Sequence, residues 1–302
     1  MSLGILCPGQ GDQSPGMFEL LRDEPEAEPI LTLYRNATAS EPRQATHEQL
    51  HVNKAAQPVL CAFQLSVWTV LRKDLPAPRA FAGYSLGEFA AYGCAGAIEP
   101  EQLIRLAAIR AAAMDSAFAG PGGLTAVRGL VRRRAQELCE KHGVEIAIVN
   151  DTDRFIIGGA AASLSSFEKE AAEAGAKVTP LKVTTPSHIS GMQAAVPRFR
   201  AALSEATWHR LAAPVLAGIS GAPVFTRADA IDALGRQIAH QVDWAACMDG
   251  LVELGCKVLL ELGPGNGLSR MVRDRLPDLE VRSVADFNSL KGVVSWAKRS
   301  LG

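Results

Sequence analysis

Aromatic residues are scarce, at 6% of 302, and the 31 Lys and Arg offset the 32 Asp and Glu almost one for one. A nucleic-acid surface needs a basic field and rings on which bases can stack. The chain supplies neither, so no nucleic-acid partner is expected. No stretch approaches the ~20 consecutive apolar residues that span a bilayer, and no membrane partner is expected. Residues 1–8 hold no basic segment and no long apolar run, so they do not read as a signal peptide. The six cysteines form no C-x-x-C pair, and none has a histidine at zinc-ligand spacing. No metal site is expected. Most of these cysteines have apolar neighbours, the setting of buried, reduced thiols, and the expected compartment is cytoplasmic. Internal repeats and low-complexity segments are also missing. What remains is a globular composition, 48% hydrophobic and 21% charged. At this length that permits one large domain or two modest ones.

The stretch that stands out is Gly83-Tyr84-Ser85-Leu86-Gly87, a G-x-S-x-G spacing preceded by apolar Ala80, Phe81 and Ala82. Such spacing suits a sharp turn from a buried strand into a helix. The glycines remove β-carbons that would clash, and the serine hydroxyl is pushed into a cleft. N–H groups at the start of the following helix can stabilise a developing negative charge. A Gly-Ser turn without function fits the spacing too, and the motif alone does not choose.

In chain order, residues 3–7 read as a buried first strand that ends in a loop holding Gly9-Gln10-Gly11. Residues 18–54 carry little signal. Pro58 is expected to open a helix, and residues 59–71 are apolar nearly all round, as in a helix buried on most sides. Residues 100–114 form a strong helix with Leu103, Leu106, Ala107 and Arg110 near one face. Arg110 is thus a cation in an alanine-rich setting. It is either a snorkelling or ion-paired side chain or a fixed charge facing a pocket. After Gly120-Pro121-Gly122-Gly123 the pattern changes. Strands at 124–129, 144–149, 154–157 and 177–183 interleave with helices at 131–141 and 164–174. The order β-α-β-β-α-β is the ferredoxin-like one. His188 lies where the chain returns, in Pro186-Ser187-His188, and functional residues gather in such loops. A helix at 194–206, a strand at 214–220, a helix at 228–241 and a strand at 258–262 follow. The expected fold is therefore α/β: a large α/β-hydrolase-like domain with a parallel sheet core (residues 1–120 and 186–302), plus an inserted ferredoxin-like domain (residues 121–185).

Six stretches taken together resemble the malonyl-CoA:acyl carrier protein transacylases. They are Gln10 in P-G-Q-G, Ser85 in G-x-S-L-G-E, Arg110 in its helix, His188 in P-S-H, Gln237 after an arginine, and E-L-G-P-G at 261–265. The likeness covers essentially the whole chain, inserted domain included. It implies that Ser85 is the nucleophile and His188 the general base. It implies that the Gln237 carbonyl orients the imidazole, that the N–H groups of Gln10 and Leu86 form the oxyanion hole, and that Arg110 holds the malonyl carboxylate. The implied substrate is malonyl-CoA, the acceptor a carrier protein's phosphopantetheine-type thiol, and no cofactor is bound permanently. Acyl carriers normally approach with acidic helices, so Arg132, Arg133, Arg134 or Lys182 could meet one.

Some residues depart from the fatty-acid members. Tyr84 precedes the serine where histidine is usual, and Asp12 replaces a serine or alanine. Tyr84 and the tail at 281–296 look more like the transacylase (epsilon) subunit of biotin-independent malonate decarboxylase. The resemblance thus implies that decarboxylase's own carrier subunit as acceptor, with the carrier of fatty-acid or polyketide synthesis as the alternative. A serine thioesterase shares the turn but needs an acid after the serine and a late histidine. A non-catalytic docking scaffold would have no use for the serine or the arginine.

Overall fold

The computed structural model describes residues 2–302. The fold is α/β with two sheets. β1 (Leu3–Cys7) is buried at every position, as a parallel strand covered on both faces must be. α1 (Glu28–Thr38), α2 (Asn53–Leu71), β2 (Ala80–Gly83), α3 (Leu86–Cys94) and α4 (Pro100–Asp115) follow. The chain then builds β3 (Gly122–Arg128), α5 (Arg132–His142), β4 (Glu145–Asp151), β5 (Arg154–Ala160), α6 (Ala161–Glu173) and β6 (Lys177–Pro180). It returns through α7 (Val196–Glu205), β7 (Val215–Leu216), β8 (Pro223–Val224), α8 (Arg227–Gln237), β9 (Val242–Asp243) and α9 (Trp244–Glu253). The last elements are β10 (Val258–Glu261), α10 (Gly267–Arg275), β11 (Glu280–Ser283) and α11 (Leu290–Leu301).

The first sheet runs β11-β10-β1-β2-β7-β8 and is parallel except for the final β7–β8 pair. β1 therefore has β2 on one side and β10 on the other. At a change of strand order in an open parallel sheet, the crevice beyond the strand ends accepts ligands. Cys7 lies opposite Gly83 in the register, so the loop after β1 and the turn after β2 emerge side by side.

The second sheet runs β6-β3-β5-β4-β9. Its first four strands are antiparallel and enclose a small core of their own, with Leu138, Phe155, Ile157 and Phe167 buried together. The segment 121–185 does not complete this sheet alone. β9, from the returning chain, pairs in parallel with β4 and covers an edge that would otherwise be open. Arg275 pairs with Asp151 at 2.6 Å and Arg154 with Asp274 at 2.6 Å, tying this sheet to α10.

Several expected boundaries move. The strand expected at 177–183 ends at Pro180, and the helix expected from 164 starts at Ala161. α2 begins at Asn53, with Pro58 inside it; near a helix start the ring forfeits a single main-chain bond. The expected strand at 214–220 keeps only Val215–Leu216, because a turn follows in which Gly221 adopts φ +70° and donates to Ala217 O. α8 ends at Gln237 rather than running to 241, because its last carbonyls are taken by His188. All six cysteines are buried and unpaired. Among the described residues no helix is long and apolar enough to cross a membrane.

Candidate active site

The turn between β2 and α3 closes only because two of its residues lack a side chain. A Cβ on Gly83 would stand 2.1 Å from Glu88 N, and one on Gly87 would stand 1.8 Å from Cys7 O. Strand end, loop and helix start thus press together. Ser85 between them takes φ +55°, ψ −114°. Among the described residues only Ala39, Ser85 and His188 have positive φ without being glycine. Ala39 terminates a helix, where a left-handed residue is common. The other two hold each other: Ser85 Oγ lies 2.7 Å from His188 Nε2. Strain at both partners of one hydrogen bond marks a site held in place by its surroundings.

His188 is positioned by the end of α8. The last carbonyls of a helix lack partners within it. Gln237 O faces His188 Nδ1 at 2.6 Å, and Ile238 O accepts from His188 N at 2.8 Å. A carbonyl can only accept, so Nδ1 carries the proton and Nε2 presents its lone pair to the serine hydroxyl. Burial, reinforced by the Arg110 charge, lowers the imidazole from 6.5 to about 3 against the opposing Gln237 bond. At neutral pH the ring is uncharged and can take a proton.

Arg110 is 1% exposed. Its NH1 donates to Gln57 Oε1 at 3.0 Å and its NH2 to Gln237 Oε1 at 3.1 Å. Burial lowers it to about 10, partly offset by Cys61 and Glu88, so the cation persists at neutral pH. No carboxylate of the described residues lies within 4.0 Å of it. A guanidinium has five N–H donors, and two amide oxygens leave three of them for an anion. Gln237 does more than orient the imidazole. Its side-chain Nε2 donates to Ser85 O at 3.1 Å and to Glu88 Oε2 at 2.5 Å. Serine, histidine and arginine, 25 and 78 residues from one another in sequence, thus share one glutamine.

The loop after β1 lies against the turn. A Cβ on Gly9 would stand 2.6 Å from Tyr84 O and 3.6 Å from Ser85 Cβ. Gln64 Nε2 holds Pro8 O at 2.9 Å, and Gln10 Nε2 donates to Asn53 Oδ1 at 3.0 Å. Asn53 Nδ2 then reaches Asp115 at 2.7 Å and Thr185 at 2.9 Å, three residues before His188. The main-chain N–H groups of Gln10 and Leu86 donate to no acceptor among the described residues. A cavity of about 330 Å³ opens between Gln10–Gln13 on one side and Pro180–Thr184 on the other, with His51 and Lys182 in its wall. It shares Gln10 with the site, while the serine, histidine and arginine lie outside its lining. Arg133 and Arg134 are on an exposed face of α5 and pair with Glu137; Arg132 donates to Gln241. Tyr84 packs edge-on against Trp244, ring centres 5.5 Å apart.

Gln57, Glu88 and Asn53 went unassigned from sequence. The signal available was Gln57, Gln64 and Ser66 inside a helix that is apolar nearly all round; all three are fully buried, and a buried amide needs partners.

The profile of the family described as acyl transferase domain matches residues 5–234. The chain is 30% identical over 287 residues to the malonyl CoA-acyl carrier protein transacylase of Salmonella typhimurium, covering 90% of this chain and 93% of that one. The solved structure of the malonyl CoA-acyl carrier protein transacylase from Coxiella burnetii superposes with a TM-score of 0.94 at 26% identity, covering 100% and 98% of the two chains. A malonyl-transacylase solved in complex with its type II PKS acyl-carrier protein gives 0.93 at 27% identity over 98% and 99%.

Proposed function

Because the chain belongs to the acyl transferase family, we propose that it moves a malonyl group from malonyl-CoA to the thiol of an acyl carrier protein through a malonyl-serine intermediate. The observation that carries this reading is the 2.7 Å contact between Ser85 Oγ and a neutral His188, two hydrogen bonds away from a buried arginine without an ion-pair partner. Ser85 Oγ attacks the thioester carbon while Nε2 takes its proton. The carbonyl oxygen becomes an oxyanion, for which the Gln10 and Leu86 N–H groups are the candidate donors. As the C–S bond breaks, the sulfur leaves with the proton held by Nε2. The carrier thiol then repeats the steps in reverse, losing its proton to His188 and restoring Ser85. The malonyl carboxylate sits on the free N–H groups of Arg110, where a planar guanidinium can meet both of its oxygens. The cavity wall at His51 and Lys182 is the entry proposed for the thiol arm.

The acceptor we favour is the acyl carrier protein of fatty-acid or polyketide synthesis. The named relatives act on acyl carrier protein, and one is solved with a polyketide carrier. The residues that suggested a malonate decarboxylase carrier instead serve packing. Tyr84 lies on Trp244, and in the tail Val281, Val284, Val293 and Trp296 are buried. β11 is three strands from β2, which favours a structural role for the tail. The test is incubation with malonyl-CoA followed by intact mass and peptide mapping. One malonyl on Ser85 is expected, and none on the Ser85→Ala protein; stoichiometric label on that variant would remove the serine from the mechanism. Two purified carriers, one from fatty-acid synthesis and one from malonate decarboxylase, are then offered to the malonyl-enzyme. Faster transfer to the second would reverse the choice of acceptor.

A further inference from the structure

Glu88 follows the G-x-S-x-G stretch and has no exposed surface. Its Oε2 accepts from Gly218 N at 2.9 Å and from Gln237 Nε2 at 2.5 Å, while Oε1 has no partner among the described residues. Gly218 makes room for it: a Cβ there would stand 2.6 Å from Oε2. The Gln237 amide fits only one way round. Arginine is donor-only, so it needs the amide oxygen. Ser85 O and Glu88 Oε2 accept, so they need the amide nitrogen. A single amide therefore links the Arg110 guanidinium to the Glu88 carboxyl. The titratable groups around Glu88 are Arg110 from α4, Tyr92 from its own helix and Cys247 from α9. Burial keeps the tyrosine and the thiol neutral, so Arg110 is the one charge facing it.

We propose that Glu88 is a positioning residue for acyl selection: through the Gln237 amide it fixes the Arg110 guanidinium and, one amide away, balances its charge until the substrate's carboxylate reaches the free N–H groups. This rests on the malonyl-transfer reading above. Two buried carboxylates then compete for one guanidinium. Docking of a malonyl group adds a second negative charge, and the repulsion is relieved when Glu88 takes a proton from solvent. An acetyl group brings no charge and creates no such competition. Burial already pushes the Glu88 carboxyl up to about 7, so the competition falls in the neutral range.

The experiment measures initial rates of Ser85 acylation by malonyl-CoA and by acetyl-CoA, taken as a ratio from about pH 6 to about pH 8.5. The ratio cancels the serine and histidine chemistry common to both. In the wild-type protein it is expected to fall roughly tenfold as pH rises. In Glu88→Gln, which keeps an oxygen for Gly218 and Gln237 but cannot ionise, it is expected to be flat. Gly218→Ala, whose new methyl presses on Oε2, is expected to lower the ratio at every pH and to stand in if Glu88→Gln does not fold. A flat wild-type ratio, or a wild-type slope in Glu88→Gln, or a wild-type ratio in Gly218→Ala overturns the proposal. If the wild-type protein takes up neither acyl group, the transferase reading itself fails and this one with it; acylation with a flat ratio fails this one alone.

Discussion

β1 is flanked by two strands that each end in a glycine-rich connection to a helix. β2 runs through Gly83–Gly87 into α3, and β10 runs through Gly263, Pro264 and Gly265 into α10. Each turn carries a fully buried glutamate, and burial pushes both carboxyls up to about 7. There the likeness ends. In the second turn the positive φ angles belong to Gly263 and Gly265, for which they cost little. Both oxygens of Glu261 are used there, accepting from Leu268 N at 3.2 Å and Ser269 N at 2.7 Å. It caps α10 with both oxygens; Ser269 Oγ beside it is buried without a partner among the described residues, but no oxygen of the carboxyl is. In the first turn the positive φ belongs to a serine, and one oxygen of Glu88 has no partner. The loop after β1 touches both turns: Gly9 fits under Tyr84 O, and Asp12 lies where a Cβ on Gly265 would come within 2.3 Å. The difference teaches how to tell a working turn from a structural one. Strain on a non-glycine residue and an incompletely bonded buried carboxyl survive where neighbouring groups hold them for another purpose.

If that contrast is right, substitutions around the first turn should change chemistry and those around the second should change stability. The largest effect is expected for Arg110→Ala. Malonyl loading should fall about a hundredfold relative to acetyl loading, read from parallel acylation rates. Equal losses for both thioesters would mean that the arginine only supports the fold, and the first turn would then be no more specialised than the second. Glu261→Ala should give the mirror image. Two N–H groups at the start of α10 lose their acceptor, so thermal unfolding should show a loss of about 2 kcal/mol. The malonyl-to-acetyl ratio should stay at the wild-type value. A change in that ratio would join the two turns into one site and break the comparison.

How much of this could be read from the chain depended on the range of the forces involved. The Ser85 turn was legible because glycines at fixed offsets report a local steric demand. The helix holding Arg110 was legible because periodicity is local. The helix start at Asn53 was not, since a proline at position 58 looks like a first residue when viewed alone. β9 could not be found either: two residues that pair with a strand formed almost a hundred positions earlier leave no pattern. The roles proposed for Ser85, His188, Arg110 and Gln237 rest on the family resemblance rather than on spacing. Glu88 lay in plain view inside G-x-S-L-G-E but looked like an ordinary acidic residue in a first helical turn, where the helix dipole would favour it. Its burial follows from Gly218, 130 positions away.

The smallest expected effect is an absence of change, and it tests whether the first turn is as closed as the comparison requires. In the proposed mechanism acylation needs His188 in its neutral form, which is the form present above the folded-state value. Burial and Arg110 lower that value from 6.5 to about 3. Acetyl loading, which involves no substrate carboxylate, should therefore stay within about twofold between about pH 7.5 and about pH 5.5, where an unperturbed imidazole would lose about tenfold. Stability follows a different course. The unfolded chain binds a proton at His188 below about 6.5 and the folded chain does not, so the histidine's contribution to stability is complete above that value and is lost as pH falls toward 3. Any acid loss of activity should thus appear as unfolding, with a matching fall in the thermal midpoint, and not as a rapid reversible titration. A reversible acid limb centred near 6.5 would mean that water reaches the imidazole. The Ser85 turn would then be open to solvent, and the strain at Ser85 and His188 would need another cause.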